Sequence, residues 1–300
     1  MTLRDDILAS FDQLLGRCSD DDPGLLEELR RRIEEVLASR GAAAGDDAGW
    51  HGLIGECAAM LELRVLIEKF ARAAAPVLIT GESGTGKERV AHAVHALSPR
   101  SMRPFVAENC AAIPESLLES VLFGHKKGAF TGAVHDHPGH FVAADKGTLF
   151  LDEIGELAAP MQAKLLRALQ DGEVRAVGGT RARKVDVRVV AATNQDLEAA
   201  VREGRFREDL YFRVNVLRLP LPPLRDRGDD VVLLARGFLA EACARAGRSL
   251  TLSEGAEQAL CARRWPGNVR QHQNEMMRLS ALAAGPMVAA DEVAGDGDDR

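Results

Sequence analysis

The hydrophobic positions divide the chain into five stretches with different patterns. In residues 1–40 apolar side chains recur at three- and four-residue steps, which predicts a short N-terminal helical segment. Residues 41–51 are mostly small or polar and are interpreted as a linker. In residues 52–224 short apolar runs alternate with helical patterns, whereas residues 225–285 are helical apart from one break. Residues 286–300 are acidic and contain glycine, so we expect a disordered tail.

Three apolar runs in the alternating stretch predict buried parallel strands. They are VLIT at 77–80, TLFLD at 148–152 and VDVRVVAAT at 185–193, and all three show little polar alternation. Such strands, separated by helical segments, predict an α/β fold with a doubly wound parallel sheet, and the helical stretch after it predicts a small lid domain. Ligands of these sheets bind beyond the carboxyl ends of the strands, so the chemistry is expected there.

Composition and charge narrow the classes of function. With 300 residues that are 46% hydrophobic, the chain can bury one sizeable core and a smaller second one. The net charge of −7 argues against nonspecific nucleic-acid binding by the whole surface, but it leaves room for local patches such as the seven arginines between Arg202 and Arg227. No apolar run is long enough for a membrane span and no signal peptide is evident, so we expect a cytoplasmic protein without membrane contact.

A phosphate-binding loop follows the first predicted strand. The candidate ATP-binding residues form a G-x4-G-K motif and its next residue: Gly81, Glu82, Ser83, Gly84, Thr85, Gly86, Lys87 and Glu88. Glycines let backbone N–H groups surround a β-phosphate, and Lys87 can reach the β- and γ-oxygens. Glu88 stands where the general motif has a hydroxyl that binds Mg²⁺, so more of the metal coordination is expected to fall on Asp152. The predicted cofactors are ATP and Mg²⁺.

Polar residues also follow the other two predicted strands. Asp152 would position Mg²⁺, and Glu153 would orient the attacking water. The alternative for this acid pair is a helix cap. Asn194, just after the third strand, would sense the γ-phosphate if the strands are neighbours; the alternative is an asparagine that forms a turn.

The segment LFGHKKGAFTGA at 122–133 has too little side chain to pack on itself and carries one aromatic residue near its tip, which suits a reversible contact. With this segment and the phosphate loop, residues 53–279 resemble the central AAA+ domain of sigma-54-dependent transcriptional activators. In that family the loop engages sigma-54. The resemblance implies sigma-54 contact by Gly128, Ala129, Phe130, Thr131, Gly132 and Ala133, whereas a buried hairpin Phe is the alternative for Phe130.

The resemblance implies roles for further residues. Glu88 belongs to the family's own version of the loop, and Asn109 resembles the residue that restrains the catalytic glutamate, here Glu153. Arg207 and Arg213 resemble arginines that act on a neighbour's nucleotide, so hydrolysis would require a ring, which we expect to be a hexamer. The alternatives are a capping role for Asn109 and surface ion pairs for the arginines.

The resemblance extends to both sides of the nucleotide. Arg270 in WPGNVR would be the lid's sensor of the γ-phosphate, and Ile54 and Gly55 would lie against adenine. The chain departs from the family at His272, an apolar position in relatives, which puts lid packing and the placement of Arg270 in doubt. The spacing of His135, His137 and His140 resembles a metal site, although family variation there favours the alternative without metal.

These observations predict an ATP-hydrolysing ring motor that remodels sigma-54 RNA polymerase holoenzyme to form open promoter complexes. One alternative is a generic AAA+ remodelling ATPase, and another is a nucleotide-gated binding module that does not hydrolyse. No basic recognition helix is evident, so DNA contact is expected to be indirect, or to need a missing domain or a partner.

Overall fold

A computed structural model describes residues 50–130, 132–283 and 285–294. The predicted N-terminal helical segment at 1–40 and most of the linker at 41–51 lie outside the described residues, as does Thr131. Within the part that is described, no helix is long and apolar enough to cross a membrane.

The described residues contain nine strands, numbered in chain order. They are β1 Val77–Thr80, β2 Phe105–Asn109, β3 Thr148–Asp152, β4 Glu173–Arg175, β5 Ala182–Lys184, β6 Arg188–Thr193, β7 Leu217–Pro220, β8 Thr251–Leu252 and β9 Met287–Val288. Five of them form one parallel sheet in the order β2-β3-β6-β1-β7. This arrangement confirms the predicted α/β fold with a parallel central sheet.

Eleven α-helices accompany the strands in the described residues. They are α1 Ala58–Ala71, α2 Lys87–Ala96, α3 Glu115–Phe123, α4 His140–Ala143, α5 Ala159–Asp171, α6 Leu197–Arg202, α7 Glu208–Val214, α8 Asp230–Ala246, α9 Glu254–Ala262, α10 Asn268–Leu282 and α11 Ala290–Ala294. Short 3₁₀ turns lie at Trp50–Gly52, Ile154–Glu156 and Leu224–Asp226.

The central strands are buried because helices cover both faces of the sheet. Along β6, Val189 and Ala191 pack into a core with α3 to α7, whereas Val190 and Ala192 pack into a second core with α1 and α2. All six residues of β6 are buried. Burial on both faces explains why these strands read as continuous apolar runs in the sequence.

The third predicted strand begins later than its apolar run. Residues 185–193 were expected to be one strand, but β6 starts at Arg188. The Val185 N–H donates to the Gly172 carbonyl, at 2.8 Å between nitrogen and oxygen, where the antiparallel hairpin β4–β5 closes. Val185 therefore belongs to the base of this hairpin and not to the central sheet.

The lid domain has its own hydrophobic core, built from α8 to α11 and the short pair β8–β9. The expectation of a disordered tail from residue 286 is wrong for Met287–Val288 and Ala290–Ala294. Val288 and Val293 are fully buried there, at 0% and 1% exposure, since β9 pairs with β8 and α11 packs on α9. Two valines therefore anchor an acidic segment that its composition alone marks as disordered.

His272 is completely buried in this lid core on α10. Its ring packs edge-on against Trp265, with 4.7 Å between ring centroids, and neither ring nitrogen has a hydrogen-bond partner of good geometry among the described residues. A polar contact with the Val231 backbone opposes the effect of burial on the pKa of the ring. Burial lowers the pKa of His272 from about 6.5 to about 4. The lid core thus accommodates His272, but with a polar ring among apolar side chains.

We expect His272→Leu to stabilise the lid by about 1–3 kcal/mol at neutral pH, because it removes buried polar atoms without partners. The depressed pKa also gives a pH dependence. Neutral His272 is compatible with folding above pH 6.5, and stability is lost as the pH falls from 6.5 towards 4, because only the unfolded chain binds the proton. Urea unfolding of wild type and H272L at pH 7.5 and 5 tests this. A stability gap between the two proteins that does not widen at pH 5 would contradict it.

Candidate nucleotide site and partner-contact loop

The carboxyl ends of β1, β3 and β6 bring the predicted site residues together. Because β6 lies between β3 and β1, the residues that follow the three strands are neighbours. Lys87 Nζ lies 3.4 Å from Glu153 Oε1, and the Asn194 N–H donates to Glu153 Oε2 at 3.1 Å. Asp152 ends β3 directly beside them. The sequence-based placement of these four residues at one site therefore agrees with the geometry.

The phosphate loop is held by contacts of its own. Thr85 is buried and its hydroxyl donates to the Glu82 carbonyl at 2.7 Å, while Lys87 Nζ donates to the Gly81 carbonyl at 3.1 Å. Gly86 lies directly before α2 and has a φ of +105°, a backbone conformation that residues other than glycine rarely adopt. Helix α2 therefore presents its N-terminus to the loop, as phosphate binding requires.

The neighbouring carboxylates of Asp152 and Glu153 repel each other. Burial, and then the neighbouring Glu153 carboxylate, raise the pKa of Asp152 above its usual range, while Lys87 opposes this rise. The Glu153 backbone adopts the left-handed conformation, with φ 51° and ψ 49°, which costs about 1–3 kcal/mol in a residue other than glycine. A divalent cation bound to Asp152 would relieve the charge repulsion, and carboxylate oxygen is a ligand that Mg²⁺ prefers. The donor set therefore fits Mg²⁺.

The side chain of Asn109 takes a different partner from the expected one. Its Nδ2 donates to Asp152 Oδ2 at 3.4 Å, and its Oδ1 accepts from the Ala111 N–H at 2.9 Å. The expected pairing with Glu153 is absent from the described contacts. The register explains this, since Asn109 lies directly beside Asp152 in the pairing of β2 with β3.

Glu108, one residue earlier, links this strand end to the segment after the loop. Its Oε1 accepts from the Asn109 N–H at 2.9 Å, and its Oε2 lies 2.8 Å from His140 Nε2. His140 is the first residue of α4. One carboxylate thus connects the residue that contacts Asp152 with the return limb of the 122–133 segment.

The Glu82 side chain is directed to the lid and not to the phosphate position. Its two oxygens accept from Arg225 at 2.6 and 2.8 Å, and one also accepts from Asn268 Nδ2 at 3.1 Å. These hydrogen bonds, with that of Arg225 the larger, lower the pKa of Glu82. Within the phosphate loop, Glu82 therefore joins the lid to the nucleotide site.

Two more lid contacts reach the same loop. Asn268, fully buried, donates from Nδ2 to the Ser83 carbonyl at 3.0 Å, and the Arg270 N–H donates to the Gly84 carbonyl at 3.2 Å. A Cβ at Gly84 would collide with the Gly267 carbonyl oxygen. The Arg270 side chain is exposed and has no ion pair or hydrogen bond among the described residues, so it is available to an anion at the loop.

The segment between sheet and lid supports the loop from a third side. Arg227 is buried and donates to the Thr85 carbonyl at 3.0 Å, and burial lowers its pKa. Asp230 accepts from the Glu56 N–H at 2.6 Å, so the first residue of α8 holds the chain just after Gly55. Ile54 is half-buried and packs against the lid core. The expected adenine-side residues therefore lie at the junction of lid and sheet domain.

Both arginines expected to act on a neighbour make contacts within their own chain. Arg207 pairs with Asp209 through two hydrogen bonds of 3.0 and 2.7 Å, and Arg213 donates to the Leu169 carbonyl at 2.8 Å. Arg207 is about half exposed. None of their contacts in the described part of the chain is with the phosphate loop or the acid pair of the same chain.

The 122–133 segment forms a paired base with an exposed aromatic tip. His125 and His137 exchange two backbone hydrogen bonds of 2.9 Å, and Lys126 Nζ lies 2.6 Å from Asp136 Oδ2. Phe130 is 39% exposed and its ring meets the His125 ring edge-on, at 4.9 Å between centroids. The alternative of a buried hairpin Phe is therefore wrong.

The histidine spacing does not produce a metal site in the described residues, where no group of three or more possible ligands is placed to hold an ion. His137 Nδ1 accepts from the Gly139 N–H at 3.1 Å, and His140 pairs with Glu108. The spacing instead reflects the turn into α4.

Comparison with known proteins agrees with this geometry. Residues 53–220 match the Sigma-54 interaction domain, and residues 225–296 match the AAA+ ATPase lid domain. The chain belongs to the sigma-54 interaction domain family. The nucleotide site described above is thus that of an AAA+ ATPase, and the GAFTGA sequence at 128–133 lies in its sigma-54 interaction domain.

Relatives of this sigma-54 interaction domain are regulatory proteins by name. The chain is 51% identical over 265 residues to the Nif-specific regulatory protein of Bradyrhizobium diazoefficiens, covering 88% of this chain and 46% of that protein. It is 52% identical over 262 residues to a nitric oxide reductase transcription regulator of Cupriavidus necator, covering 85% and 50%. The chain therefore spans about half the length of the curated relatives it matches.

A solved structure shares the architecture. NtrX from Brucella abortus, crystallised in complex with ATP, gives a TM-score of 0.79 at 36% identity, covering 93% of this chain and 62% of that one. This likeness includes both the sheet domain and the lid.

Several site residues of this sigma-54 interaction domain were not predicted from the sequence. Arg225, Arg227, Asp230 and Asn268 all hold the phosphate loop or its neighbours. The first three lie in LRDRGDD, a charged run directly after a proline-rich turn. A charged run in that position could have indicated residues that support the site. Asn268 lies inside the WPGNVR motif, two residues before Arg270, so the motif itself was a signal.

Proposed function

We propose that this chain is the motor of a transcription activator: it binds ATP and Mg²⁺, assembles into a hexameric ring, and uses hydrolysis to remodel sigma-54 RNA polymerase holoenzyme towards the open promoter complex. The observation that carries the proposal is one contact chain. It runs from Asp152 through Asn109 and Glu108 to His140, on the return limb of the segment that carries the exposed Phe130. A cytoplasmic location follows from this proposal, since the polymerase acts there.

In this proposal the phosphate loop and Lys87 bind the β- and γ-phosphates of ATP, and Arg270 approaches the γ-phosphate from the lid. Asp152 would hold Mg²⁺, which when bound neutralises charge that develops on the phosphates. Glu153 orients the attacking water, while Asn194 supports Glu153 through the backbone hydrogen bond at 3.1 Å. Arg207 and Arg213 act on the nucleotide of the next subunit.

The contact chain gives the nucleotide a physical route to the partner loop. The hydrogen bond of 3.4 Å from Asn109 Nδ2 to Asp152 Oδ2 is the longest contact in this series, so it would be the first to break if Asp152 held a cation. A shift of Asn109 moves Glu108, whose other oxygen holds His140. The loop can therefore change its exposure with the state of the nucleotide.

Comigration on a native gel tests the partner. The purified chain, incubated with ADP and a transition-state phosphate mimic, is expected to comigrate with sigma-54, and Thr131→Ala is expected to lose this band. The matched control is Thr251→Ala, on the exposed edge of the lid strand β8, which should comigrate as wild type does.

Two outcomes would redirect the proposal. If the chain hydrolyses ATP but shows no band with sigma-54, the generic AAA+ remodelling reading replaces the activator reading. If sigma-54 binds in a nucleotide-dependent way but no turnover is measured, the nonhydrolysing binding module replaces the motor.

A further inference from the structure

The hairpin β4–β5 is strongly basic although the whole chain carries a net charge of −7. Between residues 173 and 185 the sequence has four cationic side chains and one carboxylate, Glu173. The cations are Arg175, Arg181, Arg183 and Lys184, and all four are exposed. Neither ATP hydrolysis nor the packing of the central sheet explains why so many positive charges lie in this hairpin.

Three of the four hairpin cations form no ion pair in the described residues. Some exposed arginines elsewhere do pair with carboxylates, as Arg236 does with Glu257 and Arg245 with Glu241, whereas others, such as Arg202 and Arg270, do not. The side chains of Arg175, Arg181 and Arg183 have no hydrogen bond or ion pair in the same described residues, although the backbones of Arg175 and Arg183 pair within the hairpin. Lys184 faces Glu173 across the hairpin in register, so its charge is partly offset. The three arginines are therefore free to meet an external anion.

Backbone hydrogen bonds join the hairpin directly to the 122–133 segment, which contains GAFTGA. The Lys126 N–H donates to the Val177 carbonyl at 3.0 Å, and the Val177 N–H donates to the Gly124 carbonyl at 2.9 Å. At the hairpin turn, Gly178 has a φ of +72°, and a Cβ there would lie 2.9 Å from Ala129 Cβ. The arginines thus lie beside the GAFTGA segment, and Lys127 adds a further exposed cation.

The chemistry of the hairpin favours a polyanion with regular charge. Arg183 lies in β5 and Arg181 lies two residues before it, directly ahead of the strand, so the two exposed side chains are close together along the chain. The exposed residues between them and Arg175 are small, and the hairpin carries no aromatic residue for base stacking. A charged surface without apolar area suits a phosphate backbone, which in duplex DNA carries about one charge per 1.7 Å. It suits a peptide less well, because peptide side chains need apolar surface for burial.

We infer that the hairpin β4–β5 binds the phosphate backbone of DNA without sequence preference, through Arg175, Arg181 and Arg183. The inference rests on the proposed function, because an activator that contacts sigma-54 at a promoter brings this face close to DNA. It adds a direct DNA contact to the expectation from the sequence, where the lack of a basic recognition helix predicted contact that is indirect or needs a missing domain or a partner.

Salt-dependent DNA binding tests this inference. Fluorescence anisotropy of a labelled 30-base-pair duplex of arbitrary sequence is measured with the full chain between 50 and 200 mM salt. Arg181→Ala/Arg183→Ala is expected to weaken binding and to reduce the slope of log K against log salt by about 1.8, because each phosphate contact contributes about 0.9. The control Arg236→Ala/Arg245→Ala removes the same charge from α8 of the lid and should leave the slope unchanged.

Four results decide the matter. A loss confined to the hairpin variant, with sigma-54 comigration and turnover retained, supports the inference. An equal loss in both double variants means that net charge alone acts, and overturns it. No duplex binding by wild type, with sigma-54 comigration intact, overturns this inference alone. Binding of a labelled poly-glutamate peptide but not of DNA would assign the hairpin to an acidic protein segment and would also overturn it.

Discussion

Glu153→Gln is expected to reduce ATP turnover by about 10²- to 10⁴-fold while ATP binding is retained. The substitution keeps the shape of the side chain but removes the charge that would polarise the attacking water. Lys87 keeps its hydrogen bonds to the Gly81 and Glu82 carbonyls, at 3.1 and 3.3 Å, so the phosphate loop is preserved. Turnover is measured by phosphate release, and binding by a fluorescent ATP analogue.

The same variant has a second consequence for Asp152. The Glu153 carboxylate contributes to the raised pKa of Asp152, so its removal should lower that pKa and leave a lone carboxylate for the cation. Glu156→Gln is the matched control, since Glu156 is an exposed acid in the next turn that accepts from Gln195 at 2.6 Å. If E153Q turned over ATP as fast as E156Q, Glu153 would not be the residue that activates water.

The sequence predicted where most residues of the candidate nucleotide site lie, because local patterns determine their positions. The phosphate loop is a contiguous motif, and β1 and β3 are continuous apolar runs whose ends had to carry the polar groups. Once parallel strands are assumed, Asp152 and Asn194 must meet near Lys87. Such features depend on a few neighbouring residues, and single-sequence reasoning can reach them.

Contacts between distant residues could not be predicted in the same way. Asn268 and Glu82 are separated by 186 positions, yet their side chains are 3.1 Å apart. Nothing in either local pattern reveals that the Glu82 side chain contacts the lid, so the sequence predicted only its place in the phosphate loop. The register of β2 with β3, which sends Asn109 to Asp152 and not to Glu153, is equally invisible to local patterns.

The lid shows how composition misleads when a segment is short. Residues after 285 are acidic, and their two critical apolar residues, Val288 and Val293, are too few to give a periodic signal. Their burial depends on pairing with β8 and α9. His272 gives the opposite case, because the departure from the family pattern was visible in the sequence but its structural tolerance was not.

Arg207→Ala is expected to reduce turnover of the assembled ring by about 10³-fold or more, the range for an arginine that stabilises phosphoryl transfer from a neighbouring subunit. In the chain by itself Arg207 is bound to Asp209, but both side chains are about half exposed. Solvent screens such an exposed pair, so the charge of a neighbour's nucleotide can draw the guanidinium away from Asp209. Arg205→Ala is the control, since Arg205 pairs with Glu203 in the same segment.

Mixing two inactive variants separates action on a neighbour from action within one subunit. Each R207A subunit keeps Glu153, and each E153Q subunit keeps Arg207. If Arg207 acts across the interface, mixed rings contain interfaces where an intact arginine meets an intact Glu153 site, so turnover should recover when the two proteins are combined. If Arg207 acted within its own chain, no subunit would hold both groups and the mixture would stay as inactive as its components. Recovery would therefore show at once that the chain works as a ring and that its active site is shared.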